Sequence, residues 1–513
     1  MYLVYNKNKC VFVKMSKLKT VSYEEALTLT GFGKFNLLTF LLASSIVMSM
    51  AFEMLSVAYL VPASACELLT TSTDQGLMAA VPLIGIILTS YFWGYMGDTR
   101  GRKKVLCICM TTSSIASILA AFSPDWITFS VLKFISSGSV SGALALALTL
   151  LSECTPAAKR SILIMLTSSF FLGSTGIMAI VAIPVLPLKF HYYVPFLNIQ
   201  FNSWRTLSLI FSTPCVLSAI GLLFLCESPK YLLSVGKDEK ALKIMRTIFS
   251  INNNKSRDDY PVKCLVLDEL TASHAPKGFF SSVASQTIPL FKPPLLKNTV
   301  LLCAMMIIVL LCMQPYLVWF PYLINGFMTS VQRGEESLTI CQRLRASQNM
   351  TETTVNDCSI NEFALSMLSG MGFLLAVINT VLSFLINYFG RRRLIIIVQF
   401  IAGIGGICLN SSKLWQLSGL LLFVFIAGIL NFGMVTTVSV DLFPTHVKAM
   451  AVSLTMMIGR VSAVVGINIL KLLLEVNCEA SFYMFGAVTL LGVAVSFLLP
   501  KDRKPSSRNC TET

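Results

Sequence analysis

The chain has 513 residues, of which 55% are hydrophobic and only 13% charged, with a mean hydropathy of +0.74 and a formal net charge of +15. Soluble domains carry roughly 25% charged residues, so the composition excludes a water-soluble globular enzyme. Fifteen cysteines do not make a disulfide scaffold, because most fall inside apolar runs, where cysteine behaves as a small hydrophobe.

Apolar runs of the length that crosses a hydrocarbon core of about 30 Å as a helix recur along the chain. They lie at 35–61, 76–96, 104–122, 129–151, 162–187, 205–226, 299–323, 363–388, 394–409, 417–440, 449–475 and 482–499. Turn clusters and period-2 alternation are too sparse for a barrel. The pattern predicts an all-α polytopic membrane protein of about twelve transmembrane helices. It divides into a tail (1–34), a six-helix bundle (35–226), a linker (227–298), a second six-helix bundle (299–499) and a second tail (500–513).

With the amino terminus in the cytosol, about 31 of the 40 Lys and Arg lie on the cytosolic side, about six outside, and three (Lys133, Arg460, Lys471) within spans. The opposite orientation would violate the positive-inside rule. The net charge therefore records topology and an anionic inner leaflet, not nucleic-acid binding. No compact apolar stretch with a small-residue cleavage site precedes the first span, so no cleaved signal is expected.

Two hydrophilic segments exceed loop length. In 227–298, residues 237–249 place Leu242, Met245 and Phe249 on one face, which predicts an amphipathic surface helix along the inner side. Segment 324–361 is extracellular or lumenal. It carries the sequon Asn349-Met350-Thr351, the one with access to glycosylation. It also carries Cys341 and Cys358, the best disulfide pair on the oxidising side, with Cys66 as an alternative partner. The three histidines are scattered and no Cys/His spacing suggests a metal site. No cofactor is expected, and the absence of a catalytic constellation or Walker P-loop argues against an enzyme or an ATP-driven pump.

One charge pattern is written twice. Gly101-Arg102-Lys103 and Gly390-Arg391-Arg392 each lie between two spans. About fifty residues later come Glu153-x-x-Pro156-x-x-x-Arg160 and Asp441-x-x-Pro444-x-x-x-Lys448. The offsets, 390 − 101 = 289 and 441 − 153 = 288, indicate a duplicated membrane unit, as many secondary transporters are built. Acids at inner helix ends can pair with neighbouring bases when the cytosolic ends are together, and such a cluster biases a two-state equilibrium. Asp98, Arg102, Lys103, Glu153, Arg160, Glu227, Arg391, Arg392, Asp441 and Lys448 are the expected inner gate.

The loop Gly94-Tyr95-Met96-Gly97-Asp98-Thr99-Arg100-Gly101-Arg102-Lys103 resembles the signature of the major facilitator superfamily, with Thr99 in place of its first base. The second copy has Ser383 for the glycine and Asn387 for the aspartate. Cys226-Glu227-Ser228-Pro229-Lys230-Tyr231 is similar to the motif that follows the sixth span of sugar and organic-ion porters. Leu499-Pro500-Lys501-Asp502 departs from the sugar-porter motif after the twelfth. Tyr23-Glu24-Glu25-Ala26-Leu27, Thr30-Gly31-Phe32-Gly33-Lys34-Phe35, Trp93-Gly94-Tyr95 and Trp319-Phe320-Pro321 resemble the synaptic vesicle glycoprotein 2 and organic-ion-transporter-like family, over nearly all of 20–500. The shorter amino-terminal tail and shorter loop 324–361 fit an insect-type relative. The resemblance implies two pseudo-symmetric six-helix bundles in a plasma or synaptic-type vesicle membrane.

Glu53 is the acid deep within a span, where a carboxylate usually faces a cavity or a partner. It is a candidate for binding a coupling proton or Na+ or an organic cation, or for pairing with Arg460, which could instead hold an anion. Lys133 occupies the place of the superfamily's fourth-helix arginine before Gly138 and Gly142, in a structural or gating part. Gln314, Tyr316, Trp319, Asn379 and Asn431 are candidate cavity residues. The leading expectation is a secondary transporter of a small organic solute, an organic ion or related metabolite, working by alternating access. The alternative is a transporter-shaped membrane protein whose role is binding or regulation.

Overall fold

The computed structural model describes residues 2–6, 9–13, 20–266, 288–332, 338–351, 362–443 and 445–500; within these the side chains of Asp98, Asn349, Asn387, Asp441 and Lys448 are not described. Cys358 lies outside the described residues.

The amino-terminal segment has a hairpin, β1 (Tyr2–Asn6) with β2 (Lys9–Val13), then β3 (Thr20–Ser22) leading into α1 (Tyr23–Leu29). The helices that follow are α2 (Lys34–Leu55), α3 (Val57–Leu68), α4 (Ser72–Arg100), α5 (Arg102–Ala120), α6 (Trp126–Val140), α7 (Ala143–Glu153) and α8 (Ala157–Val185). An outer hairpin, β4 (Tyr192–Val194) with β5 (Ile199–Phe201), precedes α9 (Ser203–Phe224). The linker holds α10 (Pro229–Ser234), α11 (Asp238–Asn253) and β6 (Cys264–Val266), which pairs in parallel with β3. The later elements are α12 (Leu296–Gln332), α13 (Ile340–Thr351), α14 (Glu362–Phe389), α15 (Arg391–Cys408), α16 (Trp415–Ile426), α17 (Leu430–Leu442), α18 (Thr445–Val476) and α19 (Cys478–Ser496).

Among the described residues, twelve helical stretches are long and apolar enough to cross a membrane, from Lys34–Leu68 to Cys478–Ser496. Each overlaps one predicted span. Three stretches join two α-helices: α2 and α3 meet at Ser56, α6 and α7 meet at Ser141-Gly142, and α16 and α17 are linked by a 3-10 turn at Ala427–Ile429. At Ser56 the ladder continues, since its amide donates to the Phe52 carbonyl and its own carbonyl accepts from Leu60.

Contacts divide the chain into two compact units. One comprises Met1–Ser282, Phe320–Asn325 and Asn356–Val377; the other comprises Val283–Trp319, Gly326–Val355 and Ile378–Thr513. Lipid gives no hydrophobic drive between helices, so small residues and interhelical hydrogen bonds hold them together. In the first unit α4 meets α6 closely at Gly85, where an added Cβ would come within 2.7 Å of the Phe134 carbonyl oxygen. One turn further, Thr89 and the Trp93 indole donate to the Gly138 carbonyl at 2.6 and 2.8 Å. In the second unit Ser496 of α19 donates to Gln399 of α15 at 3.1 Å.

Three expectations change. Helix α12 runs to Gln332 rather than ending at 323, and α13 occupies the segment expected to be loop, with Asn349 on its backbone. Cys341 is bonded to Cys478, not to Cys358, which ties α13 to the first residue of α19. Beside it Arg345 pairs with Glu479 at 2.6 Å. Sequence proximity favoured the intraloop pair, but a helical α13 directs Cys341 to a neighbouring element. Cys66 is also disulfide-bonded. Finally, α11 buries Ala241, Met245, Ile248 and Phe249, while Leu242 is half-buried. Its apolar face is covered by protein, since α10, the start of α2, α1 and β6 pack on the helix.

Candidate functional site

Glu53 and Lys133 form an ion pair at 3.0 Å, each side chain 1% exposed. Lys133 sits on α6 and has three ammonium protons. They meet Glu53 Oε2 at 3.0 Å, Ser56 Oγ at 3.1 Å and Ser117 Oγ at 3.4 Å. Glu53 Oε2 also accepts from Ser136 at 2.7 Å, and Ser136 shares a hydrogen bond with Ser113. Glu53 Oε1 is buried with no hydrogen-bond partner among the described residues. The alternative pairing of Glu53 with Arg460 is thus corrected: its cation is Lys133, eighty residues away on a helix packed against α2. The serines explain how so polar a group is kept in a membrane helix. Each supplies a hydroxyl where water is absent.

The second unit holds most of the predicted solute residues, in a different electrostatic setting. Gln314 and Asn431 are 6% and 1% exposed; Gln314 Nε2 and both ends of the Asn431 amide have no hydrogen-bond partner among the described residues. Tyr316, fully buried, lies among Phe425, Phe482 and Phe485 with ring centroids 4.9 to 5.7 Å away. That cage makes its ring a packing element. The Trp319 indole donates to the Ile467 carbonyl at 3.3 Å, and Lys471 Nζ lies 5.0 Å from the ring. The Asn379 carbonyl accepts from Ser383 at 2.7 Å. Arg460, half-buried on α18, forms no hydrogen bond or ion pair among the described residues.

Around the start of α5, four of the expected gate residues, Arg102, Lys103, Glu153 and Glu227, form one network. Arg102 lies 3.4 Å from Glu153 and 5.1 Å over the Tyr231 ring. Ser228 donates to the Glu153 carboxylate and caps α10 by accepting from the Tyr231 amide. Glu227 accepts from the backbone amides of Lys103 and Lys104 at 2.9 and 3.4 Å. These are second- and third-position donors of α5, which lack intrahelical partners. Glu227 is therefore an N-cap supplied from a distant segment, placed where the helix dipole favours an anion. Gly101 makes room for it: its φ is +103°, and a Cβ there would sit 2.5 Å from Glu227 Oε2.

Arg160 does not join this network through Glu153. Both oxygens of Glu24, on α1, lie 3.0 Å from its guanidinium. The segment Tyr23–Phe35 is pinned on both sides. The Tyr23 hydroxyl donates to the Glu153 carbonyl, Asn36 donates to the Cys154 carbonyl at 2.8 Å, and Tyr260 donates to the Ala26 carbonyl at 2.7 Å. Asn252 donates to Gly31 and Asn36 and accepts from the Phe35 amide. Burial, reinforced by Cys154 and Glu153, holds the Tyr23 phenol well above its ordinary pKa, so it remains a donor across the physiological range.

In the second unit the Arg392 guanidinium donates to the Phe497 carbonyl at 2.5 Å. Asp98, Asp441 and Lys448 belong to the expected gate, but their side chains are outside the described set.

One cluster was missed from sequence. At the start of α9, Glu67 accepts from Asn202 and the Trp204 indole at 2.6 Å and from Arg205 at 2.7 Å. Arg205 is fully buried, donates also to the Ala121 and Ser123 carbonyls, and stacks 4.5 Å from Trp204. A Trp-Arg pair at a span's outer end was its visible signal; in the charge count Arg205 was merely an outside base.

Residues 17–318 match the family model described as Sugar (and other) transporter, and residues 346–512 match that of the Major Facilitator Superfamily. Synaptic vesicle glycoprotein 2C of Mus musculus is 27% identical over 233 residues, 45% of this chain and 32% of that protein, so the match spans about a third of that relative. The svop-1 protein of Caenorhabditis elegans is 25% identical over 501 residues, 95% of this chain and 86% of that protein. Among solved structures, the partially occluded inward-open xylose transporter XylE from E. coli superposes with a TM-score of 0.65 at 15% identity, covering 91% of this chain and 98% of that one. At that identity the likeness shows the fold alone.

Proposed function

The chain belongs to the sugar (and other) transporter family, and from that premise we propose that it is a secondary transporter, in a plasma or vesicle membrane, that moves a small organic anion or related polar metabolite by alternating access with a proton as coupling ion. The observation that carries this reading is the partnerless polarity of the second unit. Gln314 and Asn431 are buried with amide groups unsatisfied, and each such group costs about 1–3 kcal/mol. A solute that supplies the missing hydrogen bonds accounts for their retention. Arg460 adds a positive charge on a membrane helix with no ion-pair partner among the described residues. Because Lys133 already neutralises Glu53, an anion fits better than a cation.

Glu53 is the proton acceptor in this proposal. Protonation would cancel the pair and leave Lys133 to its two serines, so proton occupancy changes the internal charge of the first unit. A D-xylose-proton symporter has the same fold, with a TM-score of 0.63. A second reading, a non-transporting binding or regulatory protein, is favoured by the second inner loop, where Ser383 and Asn387 depart from the superfamily signature.

Uptake of labelled organic anions, organic cations and sugars into proteoliposomes tests both readings. Anion uptake should follow an imposed pH gradient, be lost in Arg460→Gln, and lose its pH response in the double variant Glu53→Gln, Lys133→Met, which leaves no buried charge unpaired. A Na+ requirement would replace the proton. Solute binding without uptake would select the second reading.

A further inference from the structure

The amphipathic helix of the linker has two working faces. Ala241, Met245 and Ile248 are buried against protein. The face carrying Glu239, Leu242, Lys243 and Arg246 instead lines a cavity of about 420 Å³, closed by Arg257 and Asp258 of the following turn. These helix residues stand at i, i+3, i+4 and i+7, one stripe along the helix. Three bases and two acids thus share a concave surface, yet none of the five forms an ion pair among the described residues. The Arg246 Nε is buried with no acceptor. A guanidinium N–H turned inward without a partner is a vacancy for an anionic oxygen, since guanidinium forks match phosphate and carboxylate geometry.

The place of the cavity narrows the ligand. Burial raises the pKa of the Cys226 thiol, while the positive charges of Lys103 and Arg257 oppose the shift, so Arg257 lies within electrostatic reach of Cys226. Cys226 follows the span Ser203–Phe224 by two residues, and the end of that span presents Leu223 and Phe224 outward, 66% and 85% exposed. The cavity therefore stands near the level of the inner membrane face. Its volume lies in the range of small-molecule sites. Its mixed lining suits a molecule that is anionic in one part and carries hydroxyls in another: the bases take phosphate oxygens, the carboxylates of Glu239 and Asp258 accept from hydroxyls, and Leu242 meets a ring face.

We infer that this cytosolic cavity binds a phosphorylated polyol, the chemistry shared by an inositol phospholipid headgroup and a soluble inositol phosphate. The inference does not rest on transport, and binding can be read without it.

The test uses the full-length protein in nanodiscs of neutral lipid. Soluble inositol trisphosphate is titrated by calorimetry; separately, phosphatidylinositol bisphosphate or charge-matched phosphatidylserine is included in the disc and thermal unfolding followed. Calorimetric binding in neutral discs identifies the soluble source. Stabilisation by the inositol lipid, with the soluble headgroup much weaker, identifies the membrane source. In either case the double variant Arg246→Gln, Arg257→Gln should weaken the effect by about tenfold or more, as expected for loss of charged hydrogen bonds. Its melting temperature in neutral discs reports whether it folds, and Glu239→Gln provides a second variant that should weaken binding without removing a base. Equal responses to phosphatidylserine and the inositol lipid, no response to either inositol compound, or an undiminished response in the folded double variant would each overturn the inference.

Discussion

The two halves of this chain repeat a charge pattern but differ in how their charged side chains inside the spans are paired. In the first, Lys133 has all three protons placed, Glu227 caps α5, and Arg160 meets both oxygens of Glu24. In the second, Gln314 Nε2 and the whole Asn431 amide are buried without partners, and Arg460 has none among the described residues. What duplication preserved is the backbone device: Gly101 and Gly390 precede their helices with φ of +103° and +82°. What diverged is the chemistry attached to it. A bundle whose buried Lys133 is fully paired, and whose other bases Arg102, Arg160 and Arg205 each meet an acid, is held together by its charges. A half with unused hydrogen-bonding capacity is suited to take up a solute.

The largest expected contrast tests that division in the membrane. Lys133→Met leaves Glu53 charged and buried, and breaking one side of such a pair costs about 3–5 kcal/mol. Yield of monodisperse protein should collapse, and adding Glu53→Gln should restore it. Arg460→Met in the second half breaks no pair and should leave yield unchanged. Size-exclusion profiles of the three variants decide the matter; a collapse with Arg460→Met would show that this base is structurally paired and remove the contrast.

A smaller contrast lies at the inner loops. Glu227→Ala uncaps α5, a loss of about 0.5–2 kcal/mol by analogy with N-cap deletions. Arg392→Ala removes a donor to the Phe497 carbonyl at a more exposed site and should change stability by less than about 0.5 kcal/mol. Thermal unfolding in detergent compares them. Equal losses would mean that the second loop is tied as firmly as the first.

The spans were legible because length and hydropathy act segment by segment, and the duplicated loops because similar chemistry recurs at a fixed offset. Partners were harder. Glu53 stood out as a buried acid, but its choice of Lys133 over Arg460 depends on which helices abut, information absent from hydropathy. Cys341 was visible as an oxidised cysteine, yet its bond to Cys478 requires α13 to be helical rather than loop. Glu24 lay inside a recognisable motif without revealing that it meets Arg160. Glu67 and Arg205 were passed over because an acid and a base at outer helix ends look like ordinary surface charges until burial is known.

The subtlest expectation concerns Asn431, where stability and binding should separate. Replacing a partnerless buried amide by an apolar side chain of similar shape removes a desolvation cost and is neutral or stabilising. Asn431→Leu should therefore melt at or slightly above the temperature of the native protein, whereas Ser136→Ala in the first half, which deletes a donor to Glu53, should melt lower. Any stabilisation conferred by a transported solute should disappear in Asn431→Leu, because ligand-linked stabilisation follows occupancy of the native site. Differential scanning fluorimetry with and without solute measures both quantities on the same sample. A clear loss of intrinsic stability in Asn431→Leu would mean that the amide is satisfied in the protein itself, and the contrast between the paired Lys133 and the open Asn431 would fail at its central residue.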